Sequence, residues 1–203
     1  MVDKIKRISS RRIICCTALV LVLMFIVSGF YGYITESSAR KNGSLASSVM
    51  SATDFKWDGI RNKKGKIITT DNDPKMIMEG EQKFTSLKFY MEYTTYPGEM
   101  VVYYTEPGDK GFSVQKRLWV VPDEQPGWYI VETSMKNVTA IRLDPTMYAG
   151  NVLTFGDFIL NQEKTFGDYF TVSYGDVFDL IIYTGIISSI LKFLQEMIKK
   201  EID

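Results

Sequence analysis

The chain has 203 residues, with 24 Lys plus Arg against 24 Asp plus Glu, and no histidine. The even charge balance argues against a nucleic-acid binder, which needs a basic excess over one face. The missing histidine excludes Ser-His and Cys-His nucleophile pairs and every His-containing metal site.

Residues 1–12 form a basic segment, in which Lys4, Lys6, Arg7, Arg11 and Arg12 face a single acid, Asp3. From Ile13 to Ile34 no residue is charged. A run of about 22 residues makes a helix long enough to cross a hydrocarbon core of about 30 Å. Tyr31 and Tyr33 stand at its far end, where amphipathic rings favour the headgroup level. Positive residues stay on the cytoplasmic side, so the expected arrangement is a signal anchor in a lipid bilayer over residues 13–34, with a cytoplasmic N-terminus and an extracytoplasmic domain. The run is too long for a cleaved signal, and Ser28-Gly29-Phe30-Tyr31-Gly32 is a poor cleavage site. Both cysteines, Cys15 and Cys16, fall inside it, which leaves the following domain without a disulfide and leans towards a bacterial cell envelope.

Residues 35–54, rich in Ser, Ala, Lys and Gly at their start, read as a tether. Residues 55–174 carry short apolar alternations punctuated by Asp73-Pro74, Pro97-Gly98, Pro107-Gly108, Pro126-Gly127 and Asp144-Pro145. The expected strands are Lys66 to Thr70, Phe84 to Tyr93, Met100 to Thr105, Lys116 to Val121, Trp128 to Thr133, Ala140 to Leu143 and Val152 to Leu160. Short strands at this spacing predict a mainly β domain, an antiparallel jelly-roll β-sandwich. In the second of them Leu87, Phe89, Met91 and Tyr93 share the core face. Met100 to Thr105 is apolar on both faces and needs a cover.

The order Thr69-Thr70-Asp71-Asn72-Asp73-Pro74-Lys75-Met76, then Gly127-Trp128-Tyr129-Ile130-Val131, then Ile141-Arg142-Leu143-Asp144-Pro145, Gly150 and Phe158-Ile159-Leu160 resembles a jelly-roll, galactose-binding-like domain. That domain accompanies bacterial membrane proteins of surface-polysaccharide synthesis, including large glycosyltransferases. The resemblance covers roughly residues 67–160, without a glycosyltransferase domain or a multi-helix membrane region beside it. It implies an accessory module that contacts a cell-surface glycan or a membrane glycosyltransferase.

A sugar ring stacks its apolar face on an aromatic and needs partners for its hydroxyls. The residues available for this are Tyr90, Tyr96, Tyr103, Trp119, Trp128 and Arg142, with Asp109, Gln115, Lys116 and Arg117 nearby. Core packing is the ordinary alternative for each aromatic. Asp71, Asp73 and Asp144 offer oxygen ligands for a structural Ca²⁺, against the plainer role of capping turns. No other cofactor is implied. Carboxylate pairs such as Glu92 with Glu99, or Asp109 with Asp123, are the only material for glycoside hydrolysis, and no enzyme is expected.

Residues 175–203 turn helical. Ile187, Ile190, Leu191, Leu194, Met197 and Ile198 recur at three- and four-residue steps, with Ser188, Ser189, Lys192, Gln195, Glu196, Lys199 and Lys200 opposite. Such an amphipathic helix packs on the sandwich or self-associates, lies at the membrane surface, or makes a second short span. The whole predicts a non-catalytic, membrane-anchored accessory protein of the cell envelope. The alternative is an anchored sandwich that docks a protein through its two-sided apolar strand.

Overall fold

The computed structural model describes residues 9–64 and 66–202, with side chains up to residue 198. The basic cluster at Lys4, Lys6 and Arg7 and the side chains of Lys199 and Lys200 lie outside the described residues. The chain divides into two compact units, Met1–Ile34 with Lys164–Asp203, and Thr35–Glu163.

The first unit is a pair of helices, α1 (Ser10–Lys41, whose last turn belongs to the second unit) and α2 (Tyr174–Ile202) preceded by a 3₁₀ segment, Phe166–Phe170. Both helical segments are long and apolar enough to cross a membrane, and only 11% and 6% of their most apolar stretches are buried. Close approach is permitted by glycine: a Cβ on Gly29 would lie 2.7 Å from the Phe170 ring and 2.7 Å from the Tyr169 carbonyl. Phe30 and Tyr33 pack their rings on Phe166, Tyr169 and Phe170 at centroid distances of 5.0–5.9 Å.

Helix α1 runs through the first part of the expected tether, since no Gly or Pro interrupts residues 35–41. It stops where Gly43 takes φ of +73° and the amides of Gly43 and Ser44 turn back to the carbonyls of Arg40 and Ala39. The rest of that segment is not a free linker either, because it supplies the first strand and a 3₁₀ turn at Ala52–Asp54.

The second unit is antiparallel β. Its strands are β1 (Ser48–Met50), β2 (Lys56–Asp58), β3 (Ile60–Lys63), β4 (Lys66–Thr69), β5 (Lys75–Tyr93), β6 (Val101–Thr105), β7 (Arg117–Trp119), β8 (Val121–Pro122), β9 (Trp128–Asp144) and β10 (Val152–Leu160). Their main order is β3-β4-β10-β5-β9-β6-β7, with β1 on β10, β2 on β5 and β8 on β9. Three short strands, β1 to β3, escape the alternation pattern because they hold too few residues to show one. The expected Phe84 to Tyr93 begins nine residues earlier in the structure, at Lys75. The expected pair Trp128 to Thr133 and Ala140 to Leu143 is one strand.

The two long strands pair along their whole length but shift register between Glu79 and Gln82 and between Phe84 and Ser86. The first places one extra residue in β5, the second two extra residues in β9, and each bends the ladder. Met76 and Phe84 are buried on even positions, whereas Leu87, Phe89 and Met91 are buried on odd ones, with Thr85 and Ser86 both buried at the change. The sheet therefore folds over on itself. The first layer holds β2, the start of β5, the end of β9, β6 and β7. The second holds β4, β10, the end of β5, the start of β9 and β8, with β1 on the edge of β10. Both contribute to one core: Met76, Val102, Ile141 and Leu143 from the first, and Leu87, Phe89, Val131 and Phe158 from the second.

Leu87, Phe89 and Met91 occupy the core as the alternation requires, but Tyr93 at the strand end is 39% exposed. Phe89 stacks between Phe158 at 5.5 Å and Tyr129 at 5.7 Å and has no exposed surface. Phe89→Ala is expected to cost about 3–5 kcal/mol in chemical denaturation of the full chain. A change below about 1 kcal/mol would show that the β5 register is wrong.

Candidate functional site

The sandwich has two outer faces, and the aromatic residues are divided between them. On the first layer, cross-strand register places Tyr103 opposite both Arg142 and Arg117, and Val101 opposite both Asp144 and Trp119. Alternation on β7 points Arg117 and Trp119 outward together, with Leu118 packed against the core. The Arg117 guanidinium lies 4.2 Å from the Trp119 ring centre, and Trp119 is 48% exposed. The Arg142 guanidinium lies 5.0 Å from the Tyr103 ring and 5.9 Å from Phe112, which arrives on the loop after β6.

Arg142 is held by carboxylates. Its Nε donates to Asp144 Oδ1 at 2.6 Å, and its Nη2 donates to Asp144 Oδ2 at 2.6 Å and to Asp73 Oδ1 at 2.8 Å. Lys75 pairs with the other Asp73 oxygen at 2.7 Å. The Arg142 and Asp144 side chains are only 17% and 12% exposed. Burial opposes the Arg142 charge, but the hydrogen bonds to Asp144 and the attraction of both aspartates hold its pKa above the ordinary value. Burial wins on Asp144, whose pKa is raised despite Arg142 beside it. The Lys75 pKa is raised, chiefly by its hydrogen bond to Asp73.

These pairs change the reading of the aspartates. Asp73 and Asp144 bind the protein's own cations, and Asp71 accepts a hydrogen bond from the Asp73 amide at 3.0 Å, closing a turn. Among the described residues no group of three His, Cys, Asp or Glu side chains converges as a metal site. Arg117 differs from its neighbours: it has no carboxylate partner among the described residues. The first outer face thus joins an exposed indole, a partly buried phenol, one open guanidinium and a neutralised Arg-Asp-Lys cluster.

The second outer face holds Tyr90 and Trp128, paired across strands with their rings at 5.8 Å in an edge contact. Tyr90 lies over backbone at two glycines, where a Cβ on Gly127 would come within 2.5 Å of its ring and one on Gly156 within 3.0 Å of its own Cβ. Its hydroxyl donates to Glu92. Lys88 covers the Trp128 ring at 5.3 Å and pairs with Asp123. The two rings are half-buried and walled in by their neighbours. Tyr96 belongs to neither face. It is 71% exposed beyond the end of β5, beside Tyr93 at 6.5 Å. There the Tyr129 hydroxyl is pushed up to about 12 by burial and by its hydrogen bond to Tyr93.

The six aromatic and Arg residues singled out from the sequence therefore split three ways: Tyr103, Trp119 and Arg142 together, Tyr90 and Trp128 together, Tyr96 apart. Phe112 and Lys75 complete the first set and escape sequence reading, because only the fold brings residues 75, 112 and 142 to one place. The two-sided apolar strand also finds its cover within this chain: Val101 is 8% exposed, and Tyr103 lies under Arg142. Three of the four carboxylates open to a hydrolytic reading are engaged as well, Glu92 by Tyr90, Asp109 by Lys116 and Asp123 by Lys88, whereas Glu99 is exposed.

No protein-family model matches the chain, and no curated protein does. Among solved structures it is similar to a low-affinity xylan binding module from Roseburia intestinalis, at 8% identity over 58% of this chain and 96% of that one, with a TM-score of 0.40. A family 29 carbohydrate binding module variant matches at 12% identity over 64% of this chain and 99% of that one, with a TM-score of 0.42. A family 6 module from Clostridium stercorarium, solved with cellobiose, matches at 15% identity over 57% of this chain and 94% of that one, with a TM-score of 0.34.

The Lys88–Asp123 pair has a pH signature. The hydrogen bond from Lys88 lowers the Asp123 pKa below the ordinary carboxylate value. A group depressed on folding stabilises above its unfolded value, about 3.9, and loses that contribution as pH falls through its folded value. Asp123→Asn is expected to destabilise by about 1 kcal/mol at pH 7, and the deficit should close in acid once Asp123 is protonated in the folded protein. Denaturant titrations of the full chain in detergent at neutral and acid pH check this. A deficit that persists in acid would assign the effect to something other than the ion pair.

Proposed function

We propose that this chain is a membrane-anchored, non-catalytic protein of a bacterial cell envelope whose sandwich binds a glycan on its first outer face. The observation that carries this reading is the grouping of exposed Trp119, Tyr103, Arg117 and the Arg142 cluster on one sheet surface. The indole offers a flat apolar platform for the C–H face of a sugar ring. Arg117, without a carboxylate partner among the described residues, offers donors to hydroxyl or acidic oxygens beside it. Arg142 and Lys75, fixed by Asp73 and Asp144, keep the rest of the surface polar and rigid, which reduces the ordering cost of binding. The second face is the weaker candidate, since Tyr90 and Trp128 are half-buried and already partnered.

The anchor is α1, with residues 1–12 on the cytoplasmic side and the sandwich outside, because Arg11 and Arg12 precede the apolar run. Together with the sequence resemblance, this supports a role beside the machinery that makes surface polysaccharides, as an accessory that holds the polymer near the membrane. No reacting group is asked of it.

A single stacking platform supports modest affinity, on the order of 0.1–1 mM, or about 4.1–5.5 kcal/mol. Titration of the full chain in nanodiscs against purified cell-wall polymers tests the reading. Trp119→Ala is expected to weaken binding about tenfold, equivalent to about 1.4 kcal/mol, while Trp128→Ala leaves it within about twofold. Equal losses in both variants, or the absence of binding to any polymer, would overturn the assignment of the face.

A further inference from the structure

We infer that α2 is a second membrane span, so that α1 and α2 form a two-pass hairpin in lipid with both chain termini on the cytoplasmic side. The inference rests on the anchor reading above and goes beyond it, by giving the C-terminal helix a lipid partner and a direction.

The faces of α2 carry the argument. A helix that packs on a soluble domain turns its apolar stripe inward and its polar stripe to water. Here the order is reversed. The residues turned inward from Leu180 recur at Thr184, Ser188 and Lys192, at four-residue steps and largely polar. Ser188 is 6% exposed, and the hydroxyls of Thr184 and Ser188 are buried without a hydrogen-bond partner. Gly185, Ser188 and Lys192 line a cavity together with Ser10, Ile13 and Ile14 of α1. Large apolar residues point outward: Ile181, Ile182, Tyr183, Ile186, Ile190 and Phe193 are each 38–66% exposed. Successive residues turn by about 100°, so Ile181, Ile182 and Tyr183 alone cover more than half of the circumference. Small and polar residues between helices, with bulky apolar ones facing out, is the pattern that lipid selects. The amphipathic stripe read from the sequence is real, but its polar side faces α1.

The helices run antiparallel. Ser10, Ile13 and Ile14 meet Ser188, Lys192 and Phe193 at one end, and Phe30 and Tyr33 meet Phe166, Tyr169 and Phe170 at the other. Charge follows the same axis. Arg11, Arg12 and Lys192 share the first end, and Asp168, Asp176 and Asp179 fall towards the second. Val177 to Leu194 measures about 27 Å as a helix, with Asp179 and Lys192 each two residues from an end, at headgroup depth. Lys192 is also paired with Glu196 at 3.2 Å. The shared positive end is the cytoplasmic one.

The test uses the full chain in a bacterial inner membrane, with Cys15 and Cys16 replaced by Ser and a single cysteine introduced as Lys110→Cys, on an exposed sandwich loop. In separate versions the C-terminus carries green fluorescent protein or alkaline phosphatase. The expected result is that a membrane-impermeant maleimide labels residue 110 in intact cells, the fluorescent fusion glows and the phosphatase fusion is inactive. Labelling at 110 with an active phosphatase fusion would overturn the second span and leave the single anchor standing. No labelling at 110 until lysis would overturn the anchor reading, and the hairpin with it.

Discussion

The sandwich depends on one buried side chain at the bend of its longest strand. Beside the register shift at Phe84–Ser86, β10 ends at Leu160 opposite Leu87, and the Thr85 amide and the Lys83 carbonyl lie beyond that last pair. Asn161 replaces the missing strand: its Oδ1 accepts from the Thr85 amide at 2.8 Å, and its Nδ2 donates to the Lys83 carbonyl at 2.8 Å and the Ala46 carbonyl at 3.1 Å. Thr85 has no exposed surface and Asn161 is 2% exposed, so an unmet group here would cost about 1–3 kcal/mol. Asn161 reaches these groups from a left-handed backbone, φ +53°, which asparagine tolerates better than most residues. Arg40, at the end of α1, donates to the carbonyls of Asn161 and Gln162, both at 3.0 Å. The bend thereby ties together the last turn of the helix, the segment before β1, β5 and the end of β10.

The bend has a functional consequence, because it decides which residues share a surface. Before it, β5 sends Lys75 outward beside Arg142. After it, the same strand sends Lys88 and Tyr90 outward on the opposite layer. A straight, unshifted sheet of the same sequence would turn Tyr90 to the side of Met76, away from Lys75 and Arg142. The folded one gives each outer face its own pair, Tyr103 with Trp119 and Tyr90 with Trp128. Ion pairing then separates the two faces in character. The second face closes over its rings with Lys88, Asp123 and Glu92, whereas the first leaves the Trp119 indole and the Arg117 guanidinium open.

Strand alternation was legible wherever a strand was long enough. Leu87, Phe89 and Met91 read as core and are core, and the antiparallel β class followed from the spacing of Pro and Gly turns. The apolar run of α1 was equally plain, since lipid-scale hydrophobicity is a property of composition. The bend was not legible, because Asn161 lies 76 residues from Thr85 and nothing local marks either as a partner. Grouping of the site failed for the same reason. Sequence offers six plausible residues, but register shifts decide which of them meet. The aspartates stayed open between metal ligation and turn capping for a different cause. Carboxylates at turns resemble metal ligands until the cations that face them are known, and Arg142 and Lys75 are brought to Asp73 and Asp144 by pairing across strands. The sequence left α2 open between packing on the sandwich or self-association, a place at the membrane surface and a second short span, because periodicity gives the stripe and not the side it turns to its neighbour.

The central claim is that one outer face, and not the other, meets a glycan. Hydroxyl-radical footprinting of the full chain in nanodiscs, with and without a saturating cell-wall polymer, reads both faces in a single experiment. Binding on the first face requires that Trp119 and Tyr103 lose oxidation on adding polymer, while Tyr90 and Trp128 keep theirs. Protection of Tyr90 and Trp128 with Trp119 unchanged would contradict it.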